Sequence, residues 1–215
     1  MTNRKGKVLV IDDEQIVLDS VCRILADSGM EVDVSLSGRD GLAMALERPY
    51  DIVLTDIRMA DLGGMVVLRD IKRAKPTLPV VMITGYASVR SAVQAMKLGA
   101  ADYLEKPFTP EELTGTVASA MQDAGTREPE GQDLVHREEM IRVLERAATD
   151  QDFVYDLLHN WADALDDYAL TGPEKLALLT GDVEWIEGWV GPLTSNQKKW
   201  LQQPLSAEML RTYGW

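Results

Sequence analysis

Short apolar runs that end in polar side chains are the feature that most constrains how this chain can fold. The runs at Lys7–Ile11, Asp51–Thr55 and Pro79–Thr84 are rich in β-branched residues, which is typical of strands buried on both faces of a sheet. Glu31–Ser35 and Asp102–Glu105 are predicted as two further strands. Segments with helical spacing follow each strand, so five strands alternate with five helices. This order predicts an α/β doubly wound sheet of five parallel strands.

Five polar side chains are predicted to meet at one edge of that sheet. Asp12 and Asp13 follow the first strand, Asp56 ends the third, Thr84 ends the fourth and Lys106 follows the fifth. In open parallel sheets, ligand chemistry collects at the carboxyl ends of the strands. Three neighbouring carboxylates repel one another unless a cation is present, and oxygen ligands with room for water suit Mg²⁺. A lysine and a hydroxyl beside them would bind an oxyanion, so the pattern predicts phosphoryl transfer onto a carboxylate.

Each of these residues also has a purely structural interpretation. Asp12 or Asp56 could cap a helix, Thr84 could be an ordinary strand residue, and Lys106 could be a surface charge. All five at the matching strand ends favour the functional interpretation.

Residues 5–123 resemble the receiver domain of two-component response regulators. The resemblance is carried by the segments Val-Leu-Val-Ile-Asp-Asp-Glu, Leu-Thr-Asp-Ile-Arg-Met, Ile-Thr-Gly-Tyr-Ala-Ser and Tyr-Leu-Glu-Lys-Pro-Phe. It implies a flavodoxin-like fold and a phosphoacceptor signalling protein, not an enzyme in the usual sense. It also implies that a sensor histidine kinase is the partner that supplies the phosphoryl group, and that the receiver assists its own Mg²⁺-dependent phosphorylation and dephosphorylation.

The same resemblance implies a role for each residue of the acidic cluster. Asp56 would be the phosphoacceptor. Asp12, Asp13 and Asp56, together with the backbone carbonyl of Arg58, would hold Mg²⁺ as the cofactor.

Further residues are implied to act as a switch. Thr84 would form a hydrogen bond with the phosphoryl group and Lys106 would pair with it. Tyr103 would be the aromatic side chain that moves inward on activation. The Lys106-Pro107 peptide bond is expected to be cis, a geometry that proline tolerates.

The sequence departs from the usual receiver pattern in the loop after Asp56. Proline is usual where Ala60 stands, and Asp-Gly is usual where Gly63-Gly64 stands. These departures put the rigidity of the loop in question. The resemblance implies that Arg58 and Tyr86 flank the path of the hydrolysing water. Both are bulky and neither orients water well, so slow self-dephosphorylation is expected.

The remainder of the chain differs from the receiver in composition. Residues 124–135 are polar, contain glycine and proline, and are predicted to be a linker. Residues 136–215 are predicted to form a small all-helical output or interaction domain. All five tryptophans lie in it. Trp161 and Trp189 are expected in its core, and Trp185 and Trp215 at its surface. The stretch 170–186 is similar to small helical domains of the LigA type.

Charge and composition exclude several classes of function. Residues 127–215 contain 8 Lys and Arg against 17 Asp and Glu, a balance that repels nucleic acid. No apolar run is long enough to span a membrane. With one cysteine, no internal disulfide can form. A cytoplasmic protein without membrane or nucleic-acid partners is therefore expected.

The leading hypothesis is that phosphorylation gates a protein–protein interaction through the helical domain, whose target is unknown. Two alternatives stay open: a transcription factor with an atypical helical DNA-binding domain, and a receiver-controlled enzyme subunit. A homodimer could also form through the face made by the predicted helix 88–98, the fifth strand and the helix after it.

Overall fold

The computed structural model describes residues 6–85, 92, 95–124 and 136–202, without the side chains of residues 158 and 161. The chain divides into two compact units, Met1–Gly131 and Gln132–Trp215. Among the described helices, none is both long and apolar enough to cross a membrane.

The first unit is built on one all-parallel sheet. Its strands are β1 (Lys7–Ile11), β2 (Glu31–Ser35), β3 (Ile52–Asp56), β4 (Val80–Thr84) and β5 (Asp102–Glu105). Their spatial order is β2-β1-β3-β4-β5, and every neighbouring pair is parallel. The predicted fold class is confirmed. Because β1 and β3 are neighbours at the centre, the side chains that follow them are brought to the same edge.

Four complete helices cover the sheet. They are α1 (Gln15–Asp27), α2 (Gly38–Glu47), α3 (Gly64–Ala74) and α4 (Pro110–Ala124). Between β4 and β5, a helix is predicted over residues 88–98. Residues 92 and 95–97 are helical, residue 98 is in a turn, and residues 88–91 and 93–94 lie outside the described part of the chain. The helical spacing of Val89, Val93 and Met96 predicts that these residues lie in the core. For Met96 this prediction is wrong, because its side chain is 41% exposed, and residues 89 and 93 lie outside the described part of the chain.

The sequences of β3 and β4 are nearly continuous apolar runs because both faces of these strands are buried. Both strands are buried along their whole length, and α1 adds Leu18, Val21 and Leu25 to the core beside them. A strand in this position gains stability from apolar side chains on both faces. Three polar side chains interrupt the pattern while remaining buried: Thr55, Asp56 and Thr84. The last two end their strands.

The described part of the second unit, residues 136–202, contains only helices and turns. Its elements are α5 (Arg137–Thr149), α6 (Gln151–Asn160), a 3₁₀ turn (Trp161–Leu165), α7 (Gly172–Leu179), α8 (Val183–Val190) and α9 (Ser195–Gln202). Apolar residues at helical spacing from Val154 to Leu165 predict one longer helix, but α6 ends at Asn160 and the tighter 3₁₀ turn follows. Residues 125–135 of the predicted linker and residues 203–215 of the predicted helical domain lie outside the described part of the chain.

The tryptophans do not sort into core and surface as expected. Trp189 is 40% exposed, so its assignment to the core is wrong. Its ring packs against Trp185 at a centroid distance of 6.4 Å, one turn earlier on α8, whereas Ile186 is the residue of this helix that is buried. Trp200 is buried. The side chain of Trp161 and all of Trp215 lie outside the described part.

One carboxylate joins the start of α5 to the start of α7. Glu174 is 1% exposed, and its carboxylate accepts hydrogen bonds from the backbone N–H of Thr171 at 2.7 Å and of His136 at 3.0 Å. The ring Nδ1 of His136 lies 3.1 Å away. Burial alone would raise the pKa of Glu174, but the hydrogen bonds from Thr171 and His136 outweigh it and lower that pKa.

We predict that Glu174→Ala destabilises the second unit by about 2 kcal/mol, because the partly buried N–H groups of Thr171 and His136 lose their acceptor. Tryptophan fluorescence during denaturant unfolding reports this unit selectively, since all five tryptophans lie beyond residue 160. Glu145→Ala, which removes an exposed carboxylate from the middle of α5, is the matched control. Because folding lowers the pKa of Glu174, its carboxylate stabilises the fold at pH values above 4.5, and this contribution is lost as the carboxylate becomes protonated. The difference in unfolding free energy between Glu174→Ala and Glu145→Ala should therefore shrink as the pH falls below 4.5. Equal stabilities at pH 7 would contradict the prediction.

Candidate functional site

The carboxyl edge of the sheet brings together an ion-paired cluster. The Lys106 ammonium nitrogen lies 2.6 Å from Oδ2 of Asp12 and 3.0 Å from Oδ1 of Asp56. Both carboxylates are buried, with Asp56 only 6% exposed. The lysine reaches them because its backbone N–H donates to the carbonyl of Thr84 at 2.8 Å, which continues the pairing of β5 with β4.

Burial controls the protonation of Asp56. Removal from water raises its pKa to about 6, a direction that the negative charge of Asp12 reinforces. The charge of Lys106 and the hydrogen bond from the Arg58 N–H, 2.6 Å from Oδ2, act in the opposite direction without cancelling the effect. Burial also disfavours the charged form of Lys106, but its hydrogen bond with Asp12 and the charge of Asp56 prevail and raise the lysine pKa.

Asp13 lies at the same edge but in a different environment. Its side chain is exposed, and Oδ2 accepts a hydrogen bond from the backbone N–H of Ala60 at 3.1 Å. Asp12 uses Oδ1 to accept the N–H of Glu14 at 2.9 Å, so it closes the turn after β1 while Oδ2 binds Lys106.

The donor set fits Mg²⁺ in its chemistry. Within the described residues, no three His, Cys, Asp or Glu side chains form a ready-made metal cluster. Lys106 lies between Asp12 and Asp56, and Asp13 is held toward the loop after β3. Mg²⁺ usually keeps several waters and needs only one or two carboxylates, so an open set of oxygen atoms suits it better than a closed cage.

An open cavity of about 610 Å³ gives access to the cluster. Its wall is formed by the carboxyl edge of the sheet with Asp13 and Asp56, by the start of α1 and by the segment after β5. The lining residues are Asp13, Glu14, Ile16, Val17, Ser20, Asp56, Arg58, Gly85, Lys106, Pro107 and Phe108. Asp56 and Lys106 therefore face a space that a phosphoryl donor could enter.

The residues implied as a switch lie on β4 and β5. Thr84 is buried at the end of β4, and Tyr103 is half-buried in β5. The Lys106-Pro107 peptide bond is cis. Tyr86, which was predicted to flank the path of the hydrolysing water, lies outside the described residues.

The loop after Asp56, residues 57–63, is fixed by contacts that the sequence pattern does not indicate. A Cβ atom at Gly64 would lie 2.1 Å from the carbonyl oxygen of Asp56, so only glycine fits this approach. Asp61 accepts hydrogen bonds from Ser37 Oγ and from the N–H groups of Gly38 and Arg39. Burial opposes its ionisation, but these hydrogen bonds prevail and lower the pKa of Asp61 to about 2. Ser37 caps the start of α2 with its own side chain, and Asp61 is a second capping group at the same helix start.

Comparisons with known proteins decide the family. The sequence pattern that defines the response regulator receiver domain matches residues 8–118, more than half of the chain. The chain belongs to the response regulator receiver family. The transcriptional regulatory protein ZraR of Salmonella typhimurium is 38% identical to this chain over 128 residues. That match covers 60% of this chain but 29% of ZraR, so the chain spans less than a third of that relative's length.

Solved receiver structures agree with the first unit. A response regulator receiver domain protein from Clostridium thermocellum is 36% identical, with a TM-score of 0.53 over 56% of this chain and 98% of that one. The beryllofluoride-activated NtrC4 receiver domain, solved as a dimer, is 34% identical with a TM-score of 0.53, covering 55% of this chain and 98% of that chain. Both cover the receiver and leave the second unit unmatched in large part.

We predict that Asp56→Asn stabilises the metal-free receiver at pH 7 by about 1 to 2 kcal/mol, because it removes a buried charge whose pKa is raised by about two units. A carboxyl group with a raised pKa destabilises the fold as the pH rises through the interval from 3.8 to about 6. The gain should therefore vanish at pH 4, where the native carboxyl is protonated.

Hydrogen-exchange protection of β3 in the full-length chain, with chelator present, measures this effect in the receiver alone. The pH 4 measurement is the internal control. Equal protection of the two proteins at pH 7 would contradict the assignment of a buried, destabilising charge.

Proposed function

We propose that Asp56 accepts a phosphoryl group from a sensor histidine kinase, and that phosphorylation gates a protein–protein interaction through the helical second unit. The observation that carries the first part is the cluster of Lys106, Asp12 and Asp56 beneath an open cavity. Membership in the receiver family supports the same assignment.

The Asp56 carboxylate is the nucleophile in this proposal. With a pKa of about 6 it is mostly ionised at pH 7. One carboxylate oxygen forms the new bond to phosphorus while the bond from phosphorus to the donor histidine nitrogen breaks, and that nitrogen keeps the electron pair. The Arg58 N–H, bound to Oδ2, leaves Oδ1 on the side of Lys106 and helps to fix the orientation of the carboxylate.

Asp12, Asp13 and Asp56, with the Arg58 backbone carbonyl, are the groups that we propose hold Mg²⁺. When bound, Mg²⁺ would neutralise charge that the carboxylates and the phosphoryl oxygens bring together. Lys106 supplies a second positive charge, since its ammonium group already lies within 3.0 Å of Asp56. We assign Thr84 to a hydrogen bond with the phosphoryl group, and Tyr103 to the conformational response.

The proposed output rests on the second unit. Residues 136–202 form a helical assembly with exposed aromatic side chains, including Tyr155 and Trp189, that suits a protein partner. The acidic balance of this half disfavours nucleic acid. Names of relatives such as ZraR support the alternative of a transcriptional regulator, but the match covers only 29% of ZraR. The dimeric NtrC4 receiver supports a homodimer as a second mode of output.

We predict that incubation of the full-length chain with a small-molecule phosphodonor and Mg²⁺ adds one phosphoryl group, detected as an increase in intact mass. Asp56→Asn should show no increase. Asp51→Asn, which changes an exposed aspartate just before the same strand, should be modified like the parent. Equal labelling of the parent and the Asp56 variant would overturn the proposed phosphoacceptor.

Affinity capture from native lysate tests the output. The baits are the parent with and without phosphodonor, and Asp56→Asn with phosphodonor. A protein retained by the phosphorylated parent alone supports gated interaction. Salt-dependent retention of DNA by that bait would favour the transcriptional alternative. Identical profiles from all three baits would contradict phosphorylation-gated output.

We predict slow loss of the phosphoryl group, because Arg58 borders the cavity and its bulk obstructs water. Arg58→Asn should shorten the lifetime of phosphorylated Asp56 several-fold, whereas Arg58→Lys, which keeps length and charge, should change it little. Phosphate release after removal of the donor measures the rate. A lifetime of seconds for the parent would contradict this prediction.

A further inference from the structure

We propose that the backbone N–H of Ala60 positions the Asp13 carboxylate for Mg²⁺, and that Asp61 fixes the loop that carries this N–H. The inference rests on the proposed function, because it concerns the same metal site. It assigns positioning roles to two residues that receive none from the acidic motif itself.

The first observation is the contact between two distant segments. The amide nitrogen of Ala60 lies 3.1 Å from Oδ2 of Asp13, a residue that follows β1 and stands 47 positions earlier in the chain. Asp13 is exposed to solvent. An exposed carboxylate samples several orientations, and one hydrogen bond from a fixed donor narrows that range. The Ala60 amide can act in this way only if its own position is fixed.

The second observation is that Asp61 fixes the loop to the start of α2. One carboxylate oxygen accepts from Ser37 Oγ at 2.8 Å and from the Arg39 N–H at 3.0 Å. The other accepts from the Gly38 N–H at 3.0 Å. These N–H groups belong to the first turn of α2, where a negative charge also interacts favourably with the helix dipole. The residue next to Ala60 is therefore held by three hydrogen bonds.

Close backbone approaches restrain the rest of the loop. A Cβ atom at Gly38 would lie 2.1 Å from the carbonyl oxygen of Leu62, so the start of α2 and this loop are in direct contact. Gly64 donates its N–H to the carbonyl of Ile57 at 3.0 Å, which closes the loop on the end of β3. Between these two points, the Ala60 amide has little freedom to move away from Asp13.

The identity of residue 60 is what makes the contact available. Proline has no backbone N–H and could not donate to Asp13. In the receiver pattern described above, proline is usual at this position, so its ring is compatible with this loop. This chain therefore has a donor to a metal-binding carboxylate where a proline would leave none. Holding that carboxylate in place before Mg²⁺ arrives should tighten Mg²⁺ binding.

Calorimetric titration of the full-length, chelator-treated protein with Mg²⁺ alone tests the role of Ala60. Ala60→Pro should weaken binding by on the order of tenfold, as loss of a hydrogen bond to a ligand side chain does in other metal sites. Ala60→Ser, which keeps the N–H, should bind within about twofold of the parent by the same reasoning. Hydrogen exchange of β3 verifies that both variants are folded.

A double-mutant cycle with Asp61→Ala tests the role of Asp61. In the parent, Asp61→Ala should weaken Mg²⁺ binding. In the Ala60→Pro background it should have little further effect, because the N–H that it positions is already gone. A direct attraction between Asp61 and Mg²⁺ would instead persist in both backgrounds. Additive losses would therefore contradict the proposed role of Asp61.

The outcomes separate this inference from the proposed function. If the parent binds Mg²⁺ and Ala60→Pro binds it equally well, the inference is overturned while phosphorylation of Asp56 is unaffected. If the parent binds no Mg²⁺, the proposed metal site fails and the inference fails with it. A selective loss in Ala60→Pro that Ala60→Ser does not share supports the inference.

Discussion

The site at the carboxyl edge of the sheet is organised around one carboxylate, Asp56, that is buried away from water. Asp56 ends the central strand in an apolar layer, and burial raises its pKa to about 6. A single cation, Lys106, lies within 3.0 Å of both this carboxylate and Asp12. One ammonium group does not balance the charges of Asp12, Asp13 and Asp56, so in the proposed function the residual negative charge favours Mg²⁺ at this edge of the sheet. In that proposal the same carboxylate charge makes Asp56 both a metal ligand and the phosphoacceptor.

The loop after β3 connects this charge to the rest of the fold. It begins at the buried carboxylate, supplies N–H groups to Asp56 and Asp13, and ends where Gly64 passes close to the Asp56 backbone. Asp61 then joins it to α2. Hydrogen bonds therefore connect Asp13 to this loop, and the loop to the start of α2. The departures from the receiver pattern at Ala60 and Gly63 leave this loop firmly fixed.

The sequence predicts the elements and the members of the site better than the contacts that tune it. Unbroken apolar runs identify β1, β3 and β4, because parallel strands are buried on both faces. The rule for strand ends then places Asp12, Asp56 and Lys106 together. The role of Asp61 could not be predicted, because its partners lie at the start of α2, more than twenty positions earlier in the chain. The core assignment of Trp189 was wrong because helical spacing shows which residues share a face of α8 but not how much of that face is covered. In this helix Ile186 is buried and Trp189 is exposed.

The ionisation of Asp56 tests this account most directly. Carbon-13 NMR of the aspartate carboxyl groups, recorded across a pH titration of the full-length chain, yields the pKa of Asp56 when compared with Asp56→Asn. The account predicts a value of about 6 without metal and a much lower value with saturating Mg²⁺. An ordinary value in the metal-free protein, unchanged by Mg²⁺, would contradict the claim that the buried charge of Asp56 organises the site.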